Sequence, residues 1–215
     1  MNTATENLIL RQRQRMYEIR DDARDIASNV AEQVFDQFER DIDTITSDGF
    51  MWDNADTTLM YLQSTICMAF DDACEKHVLS IYERLGDEMA AAAGQRIFDD
   101  GRLGLDALRK GLRIRSRVEE PLQQGINKAK PGLLRVVSNI LSDDLDNIDE
   151  QMRADAGRLR TGLTDASEQL RSIWRDAALD ILHRGRLAYT EQLDTLPAKL
   201  AAQSVKQNEL IPAGA

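Results

Sequence analysis

The longest pattern of apolar and polar positions in the chain runs from Leu133 to about Thr195. Its apolar or small residues recur every three to five positions, which averages close to one turn of an α-helix. Pro131 and Gly132 precede the pattern and Pro197 follows it, so these residues predict where a helix starts and ends. One helix of about 63 residues would measure roughly 95 Å, which predicts an elongated molecule.

Two further patterns of the same period predict helices over about residues 5–47 and 57–98. Short connections between such helices favour antiparallel neighbours. We therefore predict an all-α fold, an elongated antiparallel bundle of three long helices, in which residues 133–195 form the third. These helices belong to a single predicted domain, residues 1–207, and a flexible tail is expected over residues 208–215.

The third helix is expected to be roughly twenty residues longer than the other two, so part of its apolar side would lack a cover. A second copy of the chain is the natural cover, and we predict a homo-oligomer. Gly157, Gly162 and Gly185 lie within this helix and should each weaken it by only about 1 kcal/mol relative to Ala.

A turn between the second and third helices would set which of their residues face each other. If the turn covers about residues 99–132, the numbers of facing residues sum to about 232, which sets Thr57 opposite Arg175. Along the second helix, the spacing of apolar residues predicts a buried side that includes Ile81, Leu85 and Met89.

An apolar cluster lies in the connector between the first two helices and consists of Phe50, Met51 and Trp52. It predicts either an exposed knob that binds a partner or a plug that closes the end of the bundle, and the plug is the preferred interpretation. The register above would place Trp52 and Trp174 at the same end.

The connector between the second and third helices, about residues 99–132, is predicted to be irregular and basic. Residues 86–132 hold seven of the twelve glycines and two of the four prolines, and a new helix is expected to start at Glu120 and Pro121. Residues 101–140 contain nine basic and three acidic residues, a net charge of +6, so the remainder of the chain carries −16. The candidate anion- or partner-binding residues of this basic tip are Arg102, Arg109, Lys110, Arg113, Arg115, Arg117, Lys128 and Lys130.

Three interpretations of the basic tip compete. Its cations could bind an anionic membrane surface, where each Lys or Arg contributes about 1 kcal/mol and nearby leucines would serve as apolar anchors. They could contact nucleic-acid phosphates, without stacking, because no aromatic residue occurs between Phe98 and Trp174. The preferred interpretation is that they pair with acidic faces of the same bundle or of a second copy, for example at Asp143, Asp144, Asp146, Asp149 and Glu150.

Two i, i+3 pairs have side chains that bind metals, Cys74 with His77 and Asp180 with His183. The predicted register sets the two histidines far apart, so we expect no metal site and no cofactor. The sequence contains no nucleophile with an adjacent base and no glycine-rich phosphate loop, so we do not expect an enzyme.

The chain is acidic, with a formal charge of −10, and no apolar run approaches the roughly 18 residues that span a bilayer. Cys67 and Cys74 lie seven residues apart, about 10 Å on one helix, which is too far for a disulfide. We expect a cytoplasmic, non-enzymatic structural or scaffolding protein that acts through helix–helix association with itself or with another helical protein. A peripheral membrane-binding or membrane-shaping protein is the first alternative, and a phosphate-contacting nucleic-acid-binding protein is the second.

Overall fold

The computed structural model describes residues 3–47, 55–93, 113–128 and 148–209. All of these residues except Ser47, Arg113 and Lys128 lie in helices, which confirms the all-α class. In chain order the helices are α1, Thr3–Thr46; α2, Ala55–Cys74; a π-helical turn, Glu75–Leu79; α3, Ser80–Ala93; α4, Ile114–Asn127; and α5, Ile148–Glu209.

The predicted count of three long helices is not confirmed, because the described residues include the additional helix α4 within the segment expected to be irregular. Helix α4 begins earlier than expected, and Pro121 is an interior residue of it rather than part of its first turn. Proline has no N–H to donate to the carbonyl of Arg117, four residues earlier, so the helix loses one hydrogen bond there. The Pro121 side chain is buried, and its packing offsets that loss.

The start of α4 depends on Arg113, whose backbone adopts the left-handed conformation with φ 50° and ψ 46°. The Arg113 carbonyl oxygen accepts hydrogen bonds from the backbone N–H of Ser116 (3.0 Å) and from the Ser116 hydroxyl (2.9 Å). The side chain of Ser116 therefore closes the first turn of α4, which begins before the expected start at Glu120 and Pro121.

Helix α5 continues through Pro197 to Glu209, so the predicted helix end at Pro197 is wrong. An interior proline costs about 3 kcal/mol, because it lacks a donor and its ring crowds the carbonyl of Leu193. Leu193 and Leu196 are completely buried, and their packing holds the helix together on the N-terminal side of the proline. The predicted start at Leu133 lies outside the described residues.

The second predicted helix consists of α2, the π turn and α3 in direct succession. The π turn inserts an extra residue into the helical repeat immediately before α3. Tyr82 is therefore in the core, 2% exposed, whereas the predicted core residue Ile81 is only half-buried. Leu85 and Met89 are buried, as predicted.

The described residues pack into two compact units, and each long helix contributes to both. The first unit contains the described parts of Met1–Ile26, Glu75–Gly111 and Leu179–Ala215. The second contains those of Ala27–Cys74 and Leu112–Ala178.

Buried polar groups connect the three helices of the first unit. Gln12 of α1 is completely buried, donates from Nε2 to Glu88 of α3 (3.0 Å) and accepts at Oε1 from the Tyr189 hydroxyl of α5 (3.1 Å). The Tyr82 hydroxyl donates to the Leu182 carbonyl (2.8 Å). The predicted register, which placed residue 150 opposite Tyr82, is therefore wrong. Tyr82 lies beside Leu182, and Glu88 lies, through Gln12, beside Tyr189, so residue numbers rise together on α3 and α5 and the two helices run parallel in this unit.

The second unit has an aromatic core between α1 and α5. Phe38 meets the ring of Trp174 edge-on at 6.0 Å, and the Arg171 guanidinium lies 3.5 Å from the centroid of the Phe35 ring. Arg171 also pairs with Glu32 (3.4 Å). Farther along α1, Asp43 pairs with Arg160 (2.6 Å), so residue numbers rise on α1 as they fall on α5, and the two helices run antiparallel within this unit.

Helix α4 packs on α2 and also crosses α5 at a pair of glycines, Gly125 and Gly162. A Cβ atom on Gly125 would lie 2.8 Å from the carbonyl oxygen of Gly162, and a Cβ on Gly162 would overlap the Gly125 carbonyl. The two backbones touch, so a side chain at either position would separate the helices. Helix α5 continues through Gly162, and the glycine also has a packing role that the sequence analysis did not predict.

We predict opposite effects for two glycine substitutions in α5. Gly162→Ala should lower the free energy of unfolding by about 2–3 kcal/mol, because backbone atoms must move to admit the methyl group. Gly157→Ala should raise it by up to about 1 kcal/mol, because nothing lies within 4 Å of a Cβ at that position and Ala favours helix. Urea unfolding followed by circular dichroism measures both, and equal effects of the two substitutions would disprove the backbone contact.

We also predict that the protein loses stability above about pH 10. Burial raises the pKa of the Tyr82 phenol far above its ordinary value of 10.0, and burial together with the Glu88 charge raises that of Tyr189. The unfolded chain then loses phenolic protons before the folded chain does, and each phenol lowers stability by up to about 1.4 kcal/mol per pH unit above pH 10. Unfolding free energies at pH 9, 10 and 11 should fall less steeply for Tyr82→Phe, whereas the exposed control Tyr17→Phe should match the wild type.

Candidate interaction surface

The outward side of α2 carries no charged residue over four helical turns. Residues 57–70 form an uninterrupted uncharged run of 14 residues, the longest in any described helix, in a chain of which 30% is charged. Met60, Ser64 and Met68 are spaced four apart, so they form one row along the helix. Met60 is 59% exposed and Met68 is 65% exposed, and Ser64 is exposed between them.

Half-buried residues border this row on both sides. We call the whole surface the α2 face, and it comprises Thr57, Met60, Tyr61, Ser64, Thr65, Cys67 and Met68. Acidic residues follow at both ends of the uncharged run, at position 56 and at positions 71 and 72.

The ionisable groups of the α2 face favour their neutral forms. Burial raises the pKa of the Cys67 thiol, the Asp71 carboxylate raises it further, and Arg115 of α4 lowers it. Burial and the Asp41 carboxylate raise the pKa of Tyr61. The face therefore stays uncharged near neutral pH.

Other exposed apolar side chains stand among charges. In α1, Leu10 precedes Arg11, and the Tyr17 ring lies under the Arg20 guanidinium at 5.5 Å. Leu187 in α5 follows Arg186. Single exposed apolar residues of this kind are normal on a protein surface. The α2 face differs because its exposed methionines have no charged residue beside them within the run of residues 57–70.

The structure places three of the predicted tip residues at the start of α4. Arg115 donates from Nε to Oε1 of Gln63 in α2 (3.2 Å), so it holds α4 beside the α2 face. Arg113 and Arg117 are exposed, and neither forms an ion pair within the described parts of the chain. Arg113 and Arg117 are therefore two solvent-exposed cations next to Arg115, which is held by its hydrogen bond to Gln63.

Lys128 lies beyond the other end of α4 and is separated from these arginines. It forms an ion pair with Asp165 of α5, an acidic residue that is not among those suggested from the sequence. The remaining tip residues lie outside the described residues, as does the predicted apolar cluster Phe50, Met51 and Trp52; these tip residues are Arg102, Arg109, Lys110 and Lys130.

The four metal-ligand candidates suggested by the sequence have environments typical of core or surface residues. Cys74 is completely buried, and His77 is half-buried with its pKa lowered by burial and then by Lys76. Asp180 accepts a hydrogen bond from Arg184 (3.0 Å), and His183 is exposed. Within residues 3–47, 55–93, 113–128 and 148–209, no three His, Cys, Asp or Glu side chains form a metal-binding group.

Two buried aspartates were missed by the sequence analysis. Asp41 accepts from Gln37 (2.8 Å) and Asp155 pairs with Arg158, yet the second carboxylate oxygen of each has no partner among the described residues. No sequence signal marks these positions, because α1 and α5 carry many other aspartates. The α2 face was also missed, although its signal is in the sequence, because it is marked by missing charges and not by apolar residues at a helical period.

No protein-family model, curated protein or solved structure matches this chain. None of the described helices is both long enough and apolar enough to cross a lipid bilayer.

Proposed function

We propose that this chain is a non-enzymatic structural or scaffolding protein that acts by helix–helix association and assembles into a homo-oligomer. The observation that supports the proposal best is the α2 face, an exposed and uncharged surface on a chain of net charge −10. Charged residues are depleted at the cores of protein interfaces, and methionine is enriched there.

The physical reason is the cost of removing charge from water. A helix face that carries Asp, Glu, Lys or Arg must desolvate those groups when another helix covers it, unless each finds a partner. The α2 face has only hydroxyl, thiol and thioether groups to desolvate. Its methionines are flexible and polarisable, so they adapt to the surface that covers them.

The proposal includes the finer features predicted from the sequence, namely an elongated bundle of long helices and a cytoplasmic location. Its partner is a second copy of the chain or another helical protein. The protein needs no cofactor for this role.

We predict that the purified protein is larger than its monomer mass of 24.2 kDa in solution. Size-exclusion chromatography with light scattering at several loading concentrations measures the mass independently of the shape. Because each copy carries a formal charge of −10, added salt should favour the oligomer by screening the repulsion. A constant monomer mass at every concentration and at both low and high salt would contradict self-association.

A second candidate function is binding to an anionic membrane surface, and the observation that favours it is the exposed pair Arg113 and Arg117. Cations near acidic lipid contribute about 1 kcal/mol each. The adjacent Glu119 and Glu120 are also exposed and oppose this attraction. Contact with nucleic-acid phosphates would use the same two arginines.

For that alternative, the double substitution of Arg113 and Arg117 by Glu should reduce co-sedimentation with phosphatidylserine vesicles at low salt by at least about tenfold, because two attractions become repulsions. The same double substitution at two exposed arginines of α5, Arg153 and Arg175, gives the matched control for net charge. Wild-type protein that stays in the supernatant at low salt would remove the membrane alternative. Fluorescence anisotropy with a short DNA duplex applies the same comparison to nucleic acid.

A further inference from the structure

We propose that the α2 face is the contact between two copies of this chain, with the two α2 helices antiparallel and crossing at Ser64. This inference rests on the proposed function, because it assumes that the protein self-associates. It adds which surface is used, in which orientation, and which residue lies on the two-fold axis.

The exposed row of the α2 face matches itself. A two-fold contact between identical surfaces requires that residue i meets residue j while residue j meets residue i. Met60, Ser64 and Met68 are spaced four apart and read the same in both directions. In an antiparallel pair, Met60 of each copy therefore meets Met68 of the other, and Ser64 meets itself.

The row also suits close helix packing. A small residue at the crossing point lets the two helices approach closely, and Ser64 is the small residue of the row. The larger methionines then fill the space on either side of it.

The distribution of charge also favours the α2 face as the self-contact. Two copies that each carry −10 repel one another, so a self-contact is favoured where the fewest like charges meet. The uncharged run of residues 57–70 is such a place. In the antiparallel pair the acidic ends of α2, residue 56 of one copy and residue 72 of the other, meet only at the edge of the contact. Salt should therefore strengthen the association.

The size of the face sets the expected strength. Fourteen residues span about 21 Å along a helix that is roughly 10 Å wide, which is less than the roughly 800 Å² per partner of a stable interface. We therefore expect a reversible dimer whose population depends on protein concentration.

Cysteine cross-linking tests the orientation, starting from Cys67→Ser so that the buried Cys74 is the remaining natural thiol. Ser64→Cys should form a disulfide-linked dimer under mild oxidation, because the two introduced thiols face each other near the axis. Met60→Cys alone and Met68→Cys alone should not, whereas an equimolar mixture of these two variants should. Self-linking of each methionine variant would indicate parallel helices and would overturn the proposed orientation.

A charge substitution tests the surface without cross-linking. Ser64→Glu would place two carboxylates against each other at the axis and should raise the dimer dissociation constant by at least about tenfold. Gln14→Glu adds the same charge to an exposed site on α1 and should leave the constant unchanged. Both are measured by light scattering over a concentration series, and circular dichroism verifies that each variant keeps its helical content and melting temperature.

The outcomes separate this inference from the proposed function. If the wild type forms an oligomer that Ser64→Glu weakens and Gln14→Glu leaves unchanged, the result supports both the α2 contact and the proposed function. A wild-type oligomer that is indifferent to Ser64→Glu would keep self-association and overturn its assignment to the α2 face, whose cover would then be a different protein. A wild-type protein that is monomeric throughout would overturn both.

Discussion

Helix α4 is positioned by a contact in which two helix backbones touch, and the surface that we assign to self-association depends on that contact. Gly125 and Gly162 have no side chains, so the carbonyl of each occupies the space where the other would carry a Cβ atom. Arg115 attaches the other end of α4 to Gln63 of α2. With α4 held at these two points, it covers one flank of α2 and leaves the row from Met60 to Met68 in solvent.

Polar groups select the register in the first unit. An apolar stripe tolerates sliding by one helical turn, because leucine, isoleucine and alanine can replace one another as neighbours. The buried Gln12 side chain cannot slide in this way, since its donor needs Glu88 and its acceptor needs Tyr189. Leaving either group unpaired in the core costs about 1–3 kcal/mol, so the network favours one alignment of α1, α3 and α5.

The chemistry of the α2 face differs from that of the arginines beside it, and the two support different functions. An uncharged face gains by losing contact with water, which requires another surface of matching shape. Arg113 and Arg117 attract anions over a distance but do not define the shape of what they bind. Association through α2 with the arginines at its border would let charge influence the approach of a partner while the methionines provide the contact area.

The sequence by itself determined the all-α class, the approximate span of α1 and the helical character of residues 55–93 and 148–195, because each depends on a local period of apolar residues. It could not determine the passage of α5 through Pro197 or the interior position of Pro121, since a local helix breaker is tolerated when tertiary packing repays its cost. The identity of Tyr82 as a core residue depended on the π turn, which shifts the period within a single helix. In the sequence, Gly125 and Gly162 look like residues that weaken a helix. Only the tertiary structure makes them the contact between α4 and α5, because the backbone of the neighbouring helix fills the space that a side chain would need.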